Sequence, residues 1–309
     1  NGGLMLRHSA GSEETYALSS QVARITKFVS HNWDTPRWSK FLALVMHFNF
    51  FWAVVSSVVA MLVTFALCGP IKLLPQQQQP IADDKIFEVF GGAPFVNSPH
   101  SPYCCIVGFL TFWLTLLCRY DLIHLIAFVF GFPVQGVGVF VDKACIDQVD
   151  AGRKERGISS LAAFLVRSDE MLVVYSDLYL RKLWTVYELA TFLVVRPAEH
   201  LVMVPTELSK VAVLGSLCTT FFPVLWWAVG LPTVHSVIAS DRIAGSRRWA
   251  LHCQSIPLTL IMVVVFRHWS WSISRMVESA KGFRLSEARC FSETDRRIVN
   301  SSLARYMRD

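Results

Sequence analysis

Residues 41–67 read FLALVMHFNFFWAVVSSVVAMLVTFAL, an apolar run broken by His47, Asn49 and the two serines Ser56 and Ser57. About 20 apolar residues cross a bilayer, so this run is long enough to span one with tilt. Three further runs follow: Tyr103 to Cys118, Val211 to Val234, and Trp249 to Phe266. The second stops at Arg119-Tyr120-Asp121 and the fourth at Arg267-His268. Pro223 and Pro232 fall inside the third, where membrane helices tolerate them. A buried soluble helix is the alternative for each run. Leu122 to Phe140 is also apolar, but Gly131, Pro133, Gly136 and Gly138 divide it. It is expected as an interfacial helix followed by a strand. The fold class is therefore an α-helical multi-span membrane protein with about four transmembrane helices.

Charge supports that reading. Only 17% of the 309 residues are charged and 53% are hydrophobic, against about 25% charged in a soluble domain. The net charge of +6 is too mild for a nucleic-acid footprint. Lys and Arg number five before the first run, two between the first and second, and ten between the second and third. Three lie between the third and fourth runs and nine follow the fourth. Four spans place the basic-rich segments on one side, as the positive-inside rule expects. Arg242, Arg247 and Arg248 are the exception, since they fall in a translocated loop. Trp33 and Trp38, just ahead of the first span, read as interfacial anchors.

The remaining polar features carry little chemistry. None of the eight cysteines form a CxxC, and Cys68, Cys104, Cys105, Cys118, Cys218 and Cys253 lie in or beside apolar runs. No disulfide framework and no metal are expected from those spacings. His47, His124 and His252 read as packing or interfacial histidines rather than ligands of a pigment. Pro70, Pro75 and Pro80 around Gln76 to Gln79 mark an exposed, irregular connector. No glycine-rich phosphate loop or nucleophile elbow is present. The chain opens on Asn1 without a cleavable signal, so an upstream segment or a longer parent chain is expected.

Between the runs, the pattern changes to that of an α/β domain. Arg24 to Ser30 is a strand candidate, and Gly136 to Asp142 a second. A charged turn, Asp150 to Arg156, leads to a helix with Ile158, Leu161, Ala162 and Leu165 at core spacing. Met171 to Tyr175 is a continuous apolar strand of the kind buried on both faces of a parallel sheet. Ser176-Asp177 is placed to cap the next helix, where Leu180, Trp184 and Glu188 share a face. Leu201 to Val204 is the fourth strand. Alternating strands and helices imply a small parallel sheet. Near the end, Ser292 and Asp295 start a helix with an Ile298, Val299, Leu303 and Met307 stripe.

The order of these pieces resembles the Toll/interleukin-1 receptor (TIR) domain. Phe28-Val29-Ser30-His31 is similar to that family's first-strand box, and Phe140-Val141-Asp142-Lys143 to its second strand. Ser168, Leu172 to Ser176, Tyr179 and Trp184-Thr185-Val186-Tyr187-Glu188-Leu189 follow its third strand and helix, including a WxxxE spacing. The likeness covers about a third of the chain. More closely, Ser30-His31-Asn32-Trp33, Phe140 to Gln148 and Leu183 to Leu189 resemble TIR-like multi-span proteins of protists, dinoflagellates especially. A membrane hairpin between the first two boxes makes the domain discontinuous, and the family's last strand and helix are not recognisable.

The resulting division is an N-terminal segment with the first strand (1–40), a transmembrane hairpin (41–118), and the remaining α/β domain (119–210). A second transmembrane hairpin (211–266) and a basic amphipathic segment (267–309) follow. The resemblance implies two functions. Active TIR members cleave the bond between nicotinamide and ribose in NAD, with a fixed carboxylate favouring the positive charge that develops on the ribose. That carboxylate would be Glu188, with Trp184 shaping its wall. Ser30 and His31 would line the pocket, and Lys143, Arg153 or Lys154 would meet the diphosphate. Each residue also has a plain role in packing, capping or charge bias. The reading favoured here is a membrane-embedded interaction or accessory subunit without catalysis. Its partners would be the lipid bilayer, other membrane subunits or its own TIR-like domain, with no nucleic acid. NAD is the one cofactor the resemblance brings in. The N-terminus, TIR-like domain and C-terminus would share one side of the membrane.

Overall fold

The computed structural model describes residues 4–7, 9, 11–68, 71, 103–134, 136–225, 246–285, 288–289, 296–297 and 299, with only helical backbone for 219–225 and 246–258. A short helix α1 (Glu13–Tyr16) precedes strand β1 (Ile25–His31). Two long helices follow, α2 (Arg37–Cys68) and α3 (Tyr103–Phe130). Then come β2 (Val139–Phe140), α4 (Asp142–Cys145), α5 (Ala151–Ser159), α6 (Leu161–Val166), β3 (Ser168–Tyr175), α7 (Leu183–Val195) and β4 (Leu201–Pro205). Helices α8 (Thr206–Leu225) and α9 (Ser246–Lys281) complete the described elements. The chain divides into two units: residues 1–48, 130–214 and 263–309, and residues 49–129 and 215–262.

The first unit is built on a parallel sheet in the order β2-β1-β3-β4. Met171, Leu172 and Val173 in β3 are all fully buried, which explains their unbroken apolar run. Successive side chains point to opposite faces. Phe28, Met171, Val173 and Tyr175 face Leu161, Leu165, Leu183, Tyr187 and Phe192 from α6 and α7. Val29, Leu172 and Val174 pack on Ala43, Leu44 and Phe48 of α2. Both faces are covered, as a parallel sheet requires. Phe28 stacks on Phe140 with ring centroids 4.6 Å apart, pinning the short β2 to the centre.

The second unit has the opposite arrangement. Ser57 donates to the Gly108 carbonyl at 2.9 Å, Ser56 to Thr115 at 2.9 Å, and Asn49 to the Leu116 carbonyl at 2.9 Å. These bonds join α2 to α3 through polar and small residues, the usual interface between helices in lipid. A Cβ on Gly108 would meet the Met61 side chain at 2.7 Å, so the bare glycine makes room for that side chain to pack across the pair. The outward positions are large and apolar: Phe51, Val59, Leu62, Phe65, Leu110 and Leu114 are all exposed. Both helices are long and apolar enough to cross a membrane. A soluble core helix would bury those side chains; these two do not.

Several boundaries depart from the sequence reading. Helix α3 does not stop at Arg119-Tyr120-Asp121; it bends at Cys118 (φ −122°, ψ 15°) and continues to Phe130. Gly131, at φ 72°, then ends it in the left-handed conformation open to glycine. The second strand shrinks to Val139–Phe140, because Asp142 begins a helical turn. The charged turn at Asp150–Arg156 is helical, with Asp150 capping the Arg153 amide. Ser176 and Asp177 do not cap α7, whose N-terminus carries Lys182 without a side-chain cap. Helix α9 runs past Arg267-His268 to Lys281. The proline-glutamine connector, residues 226–234 of the third run and most of the C-terminal stripe lie outside the described residues, although Val299 is fully buried in the core.

Candidate functional site

In the order 2-1-3-4 the chain leaves β1 toward one edge of the sheet and β3 toward the other. The crevice beyond the carboxyl ends of two such neighbouring strands is where open α/β sheets bind ligands. Here Ser30 and His31 end β1 opposite Val173 and Val174 of β3. Ser30 shares its face with Phe28, beneath α7. Its hydroxyl donates to Glu188 Oε2 at 2.5 Å and lies 2.6 Å from the Tyr179 hydroxyl. Tyr179 is fully buried, reaches the Thr185 carbonyl at 3.4 Å, and accepts the Thr185 hydroxyl on its own carbonyl. One chain of hydrogen bonds therefore joins β1, the Tyr179–Arg181 turn and α7.

Burial sets the protonation of this chain. It pushes the Glu188 carboxyl up to about 8, with the Ser30 hydrogen bond opposing. Burial and the nearby Glu188 also raise the Tyr179 phenol well above its ordinary value. Near neutral pH burial thus favours the protonated form of Glu188. A neutral carboxyl is a hydrogen-bonding group rather than a fixed negative charge.

The two loops at the crevice are tied together. Asn32 donates to the Leu178 carbonyl at 2.6 Å, Thr35 and Ser176 pair at 2.7 Å, and Lys182 bridges to Asp34 at 2.7 Å. A cleft at the ends of β3 and β4 is lined by Tyr175, Ser176, Asp177, Pro205, Glu207 and Trp269 among others; Ser30 and Glu188 do not line it.

A second cluster gathers around Trp33. Its indole donates to Asp142 at 2.9 Å, the His31 ring meets it edge-on at 4.4 Å, and the Lys40 ammonium sits 4.8 Å from the ring centre. Lys40 is fully buried and reaches the Asn32 and Trp33 carbonyls at 3.4 and 3.5 Å. Burial lowers His31 to about 4 against the pull of Asp142, so its imidazole is neutral, and among the described residues Nε2 has no hydrogen-bond partner. Burial also lowers Lys143, with Asp142 again opposing.

No known protein family matches this chain, and neither a curated protein nor a solved structure matches it.

Of the residues singled out from sequence, Ser30 and Glu188 meet directly. His31 and Lys143 are buried near Asp142 instead. Trp184 packs on the sheet core and edge-on to Tyr187 at 5.8 Å. Arg153 pairs with Asp147 at 3.0 Å, and Asp147 in turn accepts the Val149 and Asp150 amides. Those backbone hydrogen bonds hold the Asp147 carboxyl below its ordinary value. Lys154 is exposed on α5. Trp33 is more than an interfacial anchor, since its indole is hydrogen-bonded into the fold. Trp38 is exposed, with Arg37 stacked 4.6 Å above it. Tyr179 and Lys40 had no assigned role in the sequence. A lysine ahead of an apolar run looks the same whether it snorkels to water or turns inward. Among the described residues, no group of three or more His, Cys, Asp or Glu is placed to hold a metal.

Proposed function

We propose that this chain is a membrane-embedded TIR-like interaction subunit, in which the Ser30–Glu188–Tyr179 chain stabilises the fold rather than turning over a substrate. The observation that carries this reading is the pair of loops at the crevice, tied by Asn32–Leu178, Thr35–Ser176 and Lys182–Asp34 over the buried Tyr179 ring. The raised proton affinity of Glu188 points the same way. A carboxyl held mainly in its neutral form is a poor source of negative charge for a developing oxocarbenium ion. The topology that goes with this function has four spans. Helices α2 and α3 form one pair, and the runs from Val211 and Trp249 form the other. The N-terminus, the sheet unit and the C-terminus share the basic side. Its outward apolar faces would meet lipid and other membrane subunits.

The second reading is an NAD-cleaving enzyme using Glu188. It is favoured by the partial exposure of Glu188 and its shifted proton affinity, since perturbed carboxyls gather at active sites. Nicotinamide release by the purified protein in detergent separates the two. No release, together with stoichiometric recovery of other membrane subunits, is the expected result. Turnover that disappears in Glu188→Gln would overturn the interaction reading.

A further inference from the structure

Cys68 is the last residue of α2, and Cys104 and Cys105 lie in the first turn of α3. The register of the two helices is set by Ser57 on the Gly108 carbonyl, Asn49 on the Leu116 carbonyl, and Met61 against Gly108. Cys68 lies two turns beyond Met61 on the same face, and Cys104 one turn before Gly108 on its face. Side chains on a helix lean toward its N-terminus. In this antiparallel pair Cys68 therefore leans back along the hairpin while Cys104 leans out toward the connector, and the two thiols converge. All three are free thiols in this structure, with Cys68 buried, Cys104 half-buried and Cys105 exposed. The Cys104 thiol is within electrostatic range of both Cys68 and Cys105.

We propose that Cys68 and Cys104 form a disulfide that closes the connector between α2 and α3, with Cys105 as the neighbouring thiol that can exchange with it. This inference rests on the topology proposed above, which puts the connector on the translocated side, where disulfides persist if the compartment is oxidising. The bond forms by thiol–disulfide exchange. The two cysteines lose two protons and two electrons to make one S–S bond, and the disulfide of an oxidised protein dithiol carrier is reduced to two thiols.

The test traps thiols with N-ethylmaleimide in membranes carrying the full chain, then nicks the connector with trypsin at Lys72 or Lys85. Two fragments that stay together on a non-reducing gel and part on reduction are expected. The link should survive Cys105→Ser and disappear in Cys68→Ser and in Cys104→Ser. Maleimide on both Cys68 and Cys104 without prior reduction overturns the disulfide. A Gln77→Cys reporter, labelled by a membrane-impermeant maleimide from one side at a time, then separates the causes. Labelling from the translocated side leaves the topology standing while the disulfide fails; labelling from the other side removes both.

Discussion

The sheet unit and the α2–α3 hairpin bury opposite things. In the sheet unit, Phe28, Met171, Leu172 and Val173 are inside, and ion pairs such as Arg24–Asp169 lie at the surface. In the hairpin, Asn49, Ser56 and Ser57 make the contacts between helices, while Phe51, Val59, Leu62 and Phe65 face outward. Each pattern suits a different solvent. Water drives large apolar side chains together. Lipid is already apolar, so helices there associate through small residues and hydrogen bonds. Exposure alone therefore has no fixed meaning along this chain.

The largest expected effect tests the water-adapted half. Phe28→Ala removes a buried ring stacked on Phe140, and core changes of that kind cost about 3–5 kcal/mol. Thermal or chemical unfolding of the variant should reveal a loss of that size. A loss below about 1 kcal/mol would mean that β2 is not anchored through this stack.

Next is a matched pair of outward valines. Val59 is 53% exposed in the hairpin and Val194 is 59% exposed in α7. Val59→Arg should disfavour membrane insertion by about 2.5–3.5 kcal/mol, as an arginine at mid-helix does. Val194→Arg should change stability by less than about 0.5 kcal/mol, as for an ordinary surface position. Glycosylation-site mapping of insertion and detergent-melting curves read the two. Equal effects would break the contrast between the units.

The third expectation concerns pH. Glu188 rises from 4.5 to about 8 on folding, so the native state binds more protons and stability falls as pH climbs through that interval. His31 drops from 6.5 to about 4, so its contribution is lost as pH falls from 6.5 to 4. The two oppose each other between 4.5 and 6.5, Glu188 dominates from 6.5 to 8, and Lys40, lowered to about 8 by burial, opposes it from there upward. The melting temperature of the wild type should decline across that upper window. Glu188→Gln should flatten the decline, and His31→Asn should leave it in place while removing the acid-side loss. An unchanged slope in Glu188→Gln would return the carboxyl to ordinary titration. Asp142, Lys40 and Lys143 also face this region and are kept constant in both variants.

The smallest effect is at the sheet surface. Asp169→Asn removes the partner of Arg24, whose side chain is 72% exposed. Such pairs contribute about 0–1 kcal/mol, so a shift larger than that would show coupling to the β1–β3 pairing.

Much of the sheet was legible because its signals are local. The Met171–Tyr175 run marked β3, and β1 and β4 were each located within a residue or two. The limits of α3 were not legible, because Arg119 and Asp121 look like a stop yet sit in a helix that bends and continues. The short β2 escaped for a similar reason. Val141 and Asp142 read as strand in an alternating apolar run, and only the hydrogen bonds that the Val141 and Asp142 carbonyls accept from the amides of Ala144, Cys145 and Ile146 turn the chain into α4.

The candidate site divides in the same way. Apolar length, charge bias and strand order are written along the chain, because bilayer thickness and side-chain periodicity act over consecutive residues. The meeting of Ser30, Tyr179 and Glu188 is decided by strand order, which brings β1 beside β3 across more than a hundred residues of sequence. So is the inward turn of Lys40 onto Trp33 and the neutral state of His31. Those depend on which neighbours the fold removes from water, and desolvation belongs to the packed structure rather than to any segment.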